Sequence, residues 1–131
     1  MVYILKKILF SLIILFSIGC KNDTELSMER GIQFYEWDLL EKAILEFNYV
    51  IHNLGNKTQK LDYNEIKLLS RAHHNLAVAY AKKKWYVDAI DEASKAFALF
   101  PTDDNRKVLE LIQTKNSEKE KLGTAPISSS P

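Results

Sequence analysis

The sequence predicts an all-α protein built from helical hairpins, and three observations carry that prediction. Past the first twenty residues no stretch alternates apolar and polar for long, whereas apolar residues recur three and four positions apart. The 131 residues include only four Gly and three Pro, too few for an all-β chain that must turn every eight to twelve residues or so. A single Cys excludes an internal disulfide framework and a cysteine-based zinc cluster. Charge narrows the field further. With 18 Lys and Arg against 17 Asp and Glu, the chain has neither a strongly basic nucleic-acid surface nor an acidic solvating tail.

Residues 1–19 have the plan of a secretory signal. Lys6 and Lys7 precede an apolar run from Ile8 to Ile18, and small Gly19 follows. As a helix that run covers roughly 16 Å, against roughly 30 Å of hydrocarbon, so a permanent span is disfavoured. Ser17-Ile18-Gly19-Cys20 resembles the lipobox of bacterial lipoproteins, although Ser17 stands where Leu is usual. That resemblance implies a diacylglycerol on Cys20, removal of residues 1–19 and acylation of the new amino terminus. Acyl chains attach at about 0.8 kcal/mol per buried methylene, so two or three of them hold a protein on a leaflet without spanning it. Residues 20–23 would be a short tether, and the 112 residues left after cleavage suit one small domain.

A first helix is predicted over residues 24–37, capped by Asn22 or Asp23, with Met28, Ile32 and Tyr35 on one face and Leu26, Gly31 and Phe34 on another. A second, 39–53, has Ala43, Ile44, Phe47, Val50 and Ile51 as its inner stripe and Gly55 as a left-handed stop. After a loop, Asp62 and Glu65 form a capping signal for a longer helix reaching residue 83. A fourth helix, 85–99, ends before Pro101. Thr102 or Asp103 caps the last, 105–121, whose first half carries Val108, Leu109, Leu111 and Ile112 and whose polar second half is expected to fray. Residues 122–131 read as a disordered tail.

Helix, short turn, helix is the unit of several repeat folds. Residues 70–103 closely resemble a tetratricopeptide repeat: Leu76-Ala77 with Tyr80, then Tyr86 with Ala89-Ile90, then Ala96 and Pro101. His73 and Ala93 depart from it. A weaker copy at residues 24–58 has Gly31 and Phe34, then Ala43, Ile44 and Phe47. The resemblance implies two tetratricopeptide-type hairpins and a C-terminal capping helix over residues 24–121, stacked side by side with a concave face. The second copy starts 46 residues after the first, an excess of 12 over the usual period, expected to be shared between a longer loop and a longer third helix.

Candidate chemistry is sparse. His73 and His74 are adjacent on a helix, so they diverge by about 100° and cannot hold one ion together. There is no glycine-rich phosphate loop and no Gly-x-Ser-x-Gly elbow. Trp85 and Tyr86 are expected to pack in the core. The reading is therefore non-enzymatic, with no cofactor and no metal. By the repeat's pattern, a partner-binding groove would be lined by Met28, Ile32, Tyr35 and Glu36 from the first copy and by Arg71, His74, Val78 and Lys82 from the second. Packing of Met28, Ile32 and Tyr35 beneath the third helix is the competing reading.

Anchor and repeat together resemble the BamD family, lipoproteins of the outer-membrane β-barrel assembly machinery. Arg30-Gly31 with Phe34, followed by Leu40-Glu41-Lys42-Ala43-Ile44 and Phe47, looks like that family's opening repeat. The resemblance implies a protein-interaction adaptor, lipid-anchored in the outer membrane, facing the periplasm and bound to an envelope protein, with no nucleic-acid partner. A surface-exposed lipoprotein that binds an external ligand is the alternative.

Overall fold

The computed structural model describes residues 23–123. The fold is all-α: five helices and, among the described residues, no strand. They are α1 (Asp23–Glu36), α2 (Leu40–Gly55), α3 (Tyr63–Lys82), α4 (Tyr86–Leu99) and α5 (Asp103–Gly123). The proposed signal at 1–19, Cys20, Asn22 as a cap, and the tail beyond Gly123 lie outside the described residues. None of the described helices is long and apolar enough to cross a membrane.

Local chemistry accounts for most boundaries. Asp62 accepts from the Glu65 amide at 2.9 Å while the Glu65 carboxylate accepts from the Asp62 amide at 3.1 Å, a complete capping box for α3. Thr102 Oγ1 accepts from the Asn105 amide and opens α5. Gly55 is not a left-handed stop: it is the last residue of α2, and Asn56 follows with φ −93°. The left-handed positions are instead Asp38 (φ 60°) and Lys84 (φ 63°).

Those two residues sit in identical turns. Around the first, Trp37 donates to Gln33, Asp38 to Tyr35, Leu39 to Phe34 and Ala43 to Leu39, all through the backbone. Around the second, Lys83 donates to Ala79, Lys84 to Ala81, Trp85 to Tyr80 and Ala89 to Trp85. Every donor and acceptor is displaced by 46 residues. The excess in that period is divided: α3 has 20 residues against 14 in α1, and the loop 56–62 supplies much of the rest.

Packing follows chain order. Each helix lies against its neighbours in sequence, α1 also touches α3, α3 touches α5, and α2 has no packing contact with α4. Two cores result, with α3 bridging them. One, between α1, α2 and α3, buries Met28, Phe47, Val50, Leu54, Leu69 and Leu76. The other, between α3, α4 and α5, is built on Ala77, Ala89, Ala93 and Ile112.

Trp85, expected in the core, is half exposed, and Leu111 and Leu26 also face outward. Leu111 is 58% exposed, because α5 turns Asn105, Val108, Leu109 and Ile112 inward, and one helix face has no room for a fifth position beside them. Trp85 is 48% exposed, its ring tilted against Tyr80 at 5.6 Å with the Lys83 ammonium above it, because it precedes α4 rather than lying within it. Leu26 is 41% exposed on the free side of α1. The polar half of α5 stays helical through Gly123 and passes the second turn, where Lys119 donates to the Lys84 carbonyl.

Candidate partner-binding groove

A concavity of about 350 Å³ opens between α1, α3 and the α4–α5 corner. Lys67, Arg71, His74 and Asn75 form its wall, a stripe of α3 at three- and four-residue spacing. Ile32 faces them from α1, and Phe100 closes the far side. Neither Lys67 nor Arg71 has an ion-pair or hydrogen-bond partner among the described residues. In contrast, Arg30, Lys57, Lys82, Lys83, Lys95 and Arg106 each meet a carboxylate. Two cations one turn apart beside apolar Ile32 and Phe100 suit a ligand that is anionic at one point and apolar at the next, although the Asp104 carboxylate lines the same concavity and Glu25 and Glu29 line the adjoining one that Lys67 and Arg71 share.

The floor is a buried polar network. The two hydrogens of the Asn105 amide nitrogen are shared among three acceptors, the Phe100 carbonyl (2.7 Å), the Ser70 hydroxyl (3.1 Å) and the Ala96 carbonyl (3.2 Å). Ser70 itself donates to the Ala96 carbonyl. Because the amide nitrogen of Asn105 is committed to donating, its oxygen must accept, so His74 Nδ1 carries the proton in their 2.7 Å bond. That fixes the imidazole with Nε2 as its remaining polar atom. The network adds second donors to the Ala96 and Phe100 carbonyls, which already accept from the Phe100 and Thr102 amides.

His73 points the other way. Its Nδ1 donates to Glu92 on α4 at 2.5 Å in a largely buried pair, and Lys95 donates to the same carboxylate. Burial pushes the Glu92 carboxyl up, but the bonds from His73 and Lys95 outweigh burial and hold it below its ordinary range. The two adjacent histidines therefore fasten α3 to two different neighbours. No group of three or more His, Cys, Asp or Glu side chains that could hold a metal occurs among the described residues.

Of the residues predicted to line a groove, the concavity brings together Ile32, Arg71 and His74. Met28 is 1% exposed and belongs to the first core. Tyr35 and Lys82 meet near the first turn, with the ammonium 4.9 Å from the ring centre and 2.7 Å from Asp38. Glu36 is exposed on α1, and Val78 is half-buried on α3. Sequence reasoning missed Lys67, because the repeat frame was started at Ser70; its four-residue spacing from Arg71 was the available signal. It also missed Asn105, whose signal was a polar residue on the inward stripe of α5.

Compared with family models, with curated proteins and with solved structures, the chain matches none.

Proposed function

We propose that the chain is a membrane-anchored adaptor of the bacterial envelope, built on tetratricopeptide-type repeats and related in role to the BamD family of outer-membrane β-barrel assembly. Cys20 would carry the lipid, and the outer membrane, periplasmic side, would be its place. The observation that supports this reading best is Lys67 and Arg71, without ion-pair partners among the described residues, beside Ile32 and Phe100 in one concavity. Such a surface fits an extended partner segment with an acidic residue next to an apolar one. The order of packing is in keeping with it, since helices that touch only near neighbours form a rigid stack with a continuous inner face.

The test is crosslinking and co-purification of the full chain from membranes, with Cys20→Ala and a Lys67→Glu, Arg71→Glu double variant alongside. The expected result is an envelope partner, a β-barrel protein in particular, that is lost when either the anchor or the two cations are removed. Recovery of the same partner with both charges reversed would sink the groove as its site. Failure of Cys20→Ala to release the chain from the membrane fraction would sink the anchor.

A further inference from the structure

Two carbonyls settle which way the Asn105 side chain faces. The Phe100 and Ala96 oxygens only accept, so the atom beside them is the amide nitrogen, and the amide oxygen is the atom that meets His74 Nδ1 at 2.7 Å. Asn105 is buried and cannot turn to water instead. A neutral His74 is therefore protonated at Nδ1, and its Nε2 carries a lone pair. That nitrogen has no partner among the described residues, and the ring lines the groove. His73 is held differently, since its Nδ1 is spent on the Glu92 carboxylate away from the groove. The fold thus gives His73 an acid and gives His74 an orienting amide. No carboxylate among the described residues is in ion-pair contact with His74.

We infer that His74 Nε2, working with Arg71, decides whether the groove takes a carboxylate or a carboxamide from its partner, and that proton uptake from solvent at Nε2 sets the choice. The inference rests on the groove being the partner's site. Arg71 precedes His74 by one turn on the same stripe of α3. With Nε2 bare, the pair offers one acceptor and one charged donor, which match the N–H and the C=O of an Asn or Gln side chain. With Nε2 protonated, both groups donate, and they match the two oxygens of an Asp or Glu in charge-assisted bonds. The other charges that face the ring are Lys67 on α3 and Asp104 on α5. On the α1 side the groove has Ile32, with Glu25 and Glu29 in the adjoining concavity, and α2 and α4 contribute no lining residue. Histidine is the side chain that ordinarily changes charge between about pH 6 and about pH 8, so over that interval a change in preference reports on the imidazole.

The test uses the detergent-purified full chain and two capped peptides in which Leu alternates with Glu or with Gln. Long-range proton–nitrogen spectra of the labelled imidazole should show Nδ1 protonated and Nε2 bare at about pH 8. The Glu peptide should then bring a proton to Nε2 and leave Nδ1 as it was. The ratio of Glu-peptide to Gln-peptide affinity should rise at least about threefold between about pH 8 and about pH 6. His74→Asn keeps a donor for Asn105, because its amide nitrogen stands where Nδ1 stood, but takes up no proton, so its ratio should be the same at both pH values. A neutral ring with Nε2 protonated and Nδ1 bare overturns the inference, whichever peptide binds. A ratio that ignores pH, or that moves equally in His74→Asn, overturns it too, and the groove reading survives if Lys67→Glu, Arg71→Glu still abolishes binding of the Glu peptide. Failure of both peptides to bind at either pH overturns the inference and the groove reading together.

Discussion

Gly31 has no room for a side chain. A Cβ there would lie 2.5 and 2.8 Å from two ring carbons of Phe47 and 3.2 Å from the Glu46 Cβ. In the second hairpin the corresponding pair is Ala77 and Ala93, both buried: where the first helix gains a methyl, its partner loses a ring. Gly31→Ala should therefore destabilise by about 1–3 kcal/mol through overpacking, and Phe47→Ala by about 3–5 kcal/mol through the cavity it leaves. In the Phe47→Ala background the Gly31→Ala penalty should vanish, a coupling that urea denaturation of the four chains would read directly. The pair also accounts for Ala93, which the sequence shows only as a departure from the repeat pattern. Asn105 is a second residue whose importance pattern alone could not reveal, since its amide nitrogen reaches acceptors on α3, on α4 and at the α4–α5 corner. Asn105→Ala should cost about 1–3 kcal/mol, from buried hydrogen bonds lost across three elements and from the His74 Nδ1 left without its acceptor. Asn105→Asp should cost more at neutral pH, because a carboxylate would face the Ala96 and Phe100 carbonyls with nothing to donate. Equal losses for the two variants would show that the carbonyls are not the partners that matter.

Among the elements, helices were easy to find because their apolar periodicity is set by the cores they face, and the Asp62–Glu65 box was visible as a spacing. The turns were not. Their left-handed residues are Asp38 and Lys84 rather than glycines, held by the backbone bonds that close each hairpin and so invisible to a search for Gly. The left-handed conformation costs an L-residue roughly 1–2 kcal/mol, and Asp tolerates it better than Lys. Lys84→Gly should therefore raise stability by about 0.5–1 kcal/mol. Asp38→Gly should gain less, because it also forfeits the ion pair with Lys82. A melting temperature that falls with Lys84→Gly would contradict that account of the turn. The α3–α4 contact adds a pH dependence. Glu92 is held below its ordinary range in the folded chain, so its contribution is complete above the unfolded value of about 4.3. That contribution is lost as pH falls through the lower folded value. Thermal melts between pH 7 and pH 3 should lose stability on the acid side, and Glu92→Gln should flatten part of that slope. An unchanged slope would mean the exposed carboxylates alone produce it.

Across the described residues, α3 is the helix with buried side chains in both cores, Leu99 of α4 also packs against the first, and the cores differ in what they bury. The first holds Phe47, Met28, Leu54, Leu69 and Leu76, whereas the second rests on three alanines and Ile112, with Val108, Leu109, Tyr80 and Ile90 partly buried around them. A fully buried Leu, Met or Phe contributes about 1.5–3 kcal/mol, whereas one methylene contributes about 0.8 kcal/mol. The α1–α3 side should therefore outlast the α4–α5 side. Nearest-neighbour packing permits such separation, because α1 and α2 do not pack as helices on α4 or α5, although Leu99 at the end of α4 reaches the first core. Amide exchange should be fastest in α5 beyond residue 112, intermediate in α4 and slowest in α2 and the second half of α3. Ile112→Ala removes the largest side chain fully committed to the second core, at about 2–5 kcal/mol, and should detach α5 before the rest unfolds. Circular dichroism would then show an early partial loss of helix followed by the main transition. Because Thr102 and Asn105 close the groove around Arg71 and His74, the same variant should weaken binding of the proposed partner at temperatures where the first hairpin is still intact. A single transition with uniform protection across all five helices would show that α3 couples the cores more tightly than their composition implies.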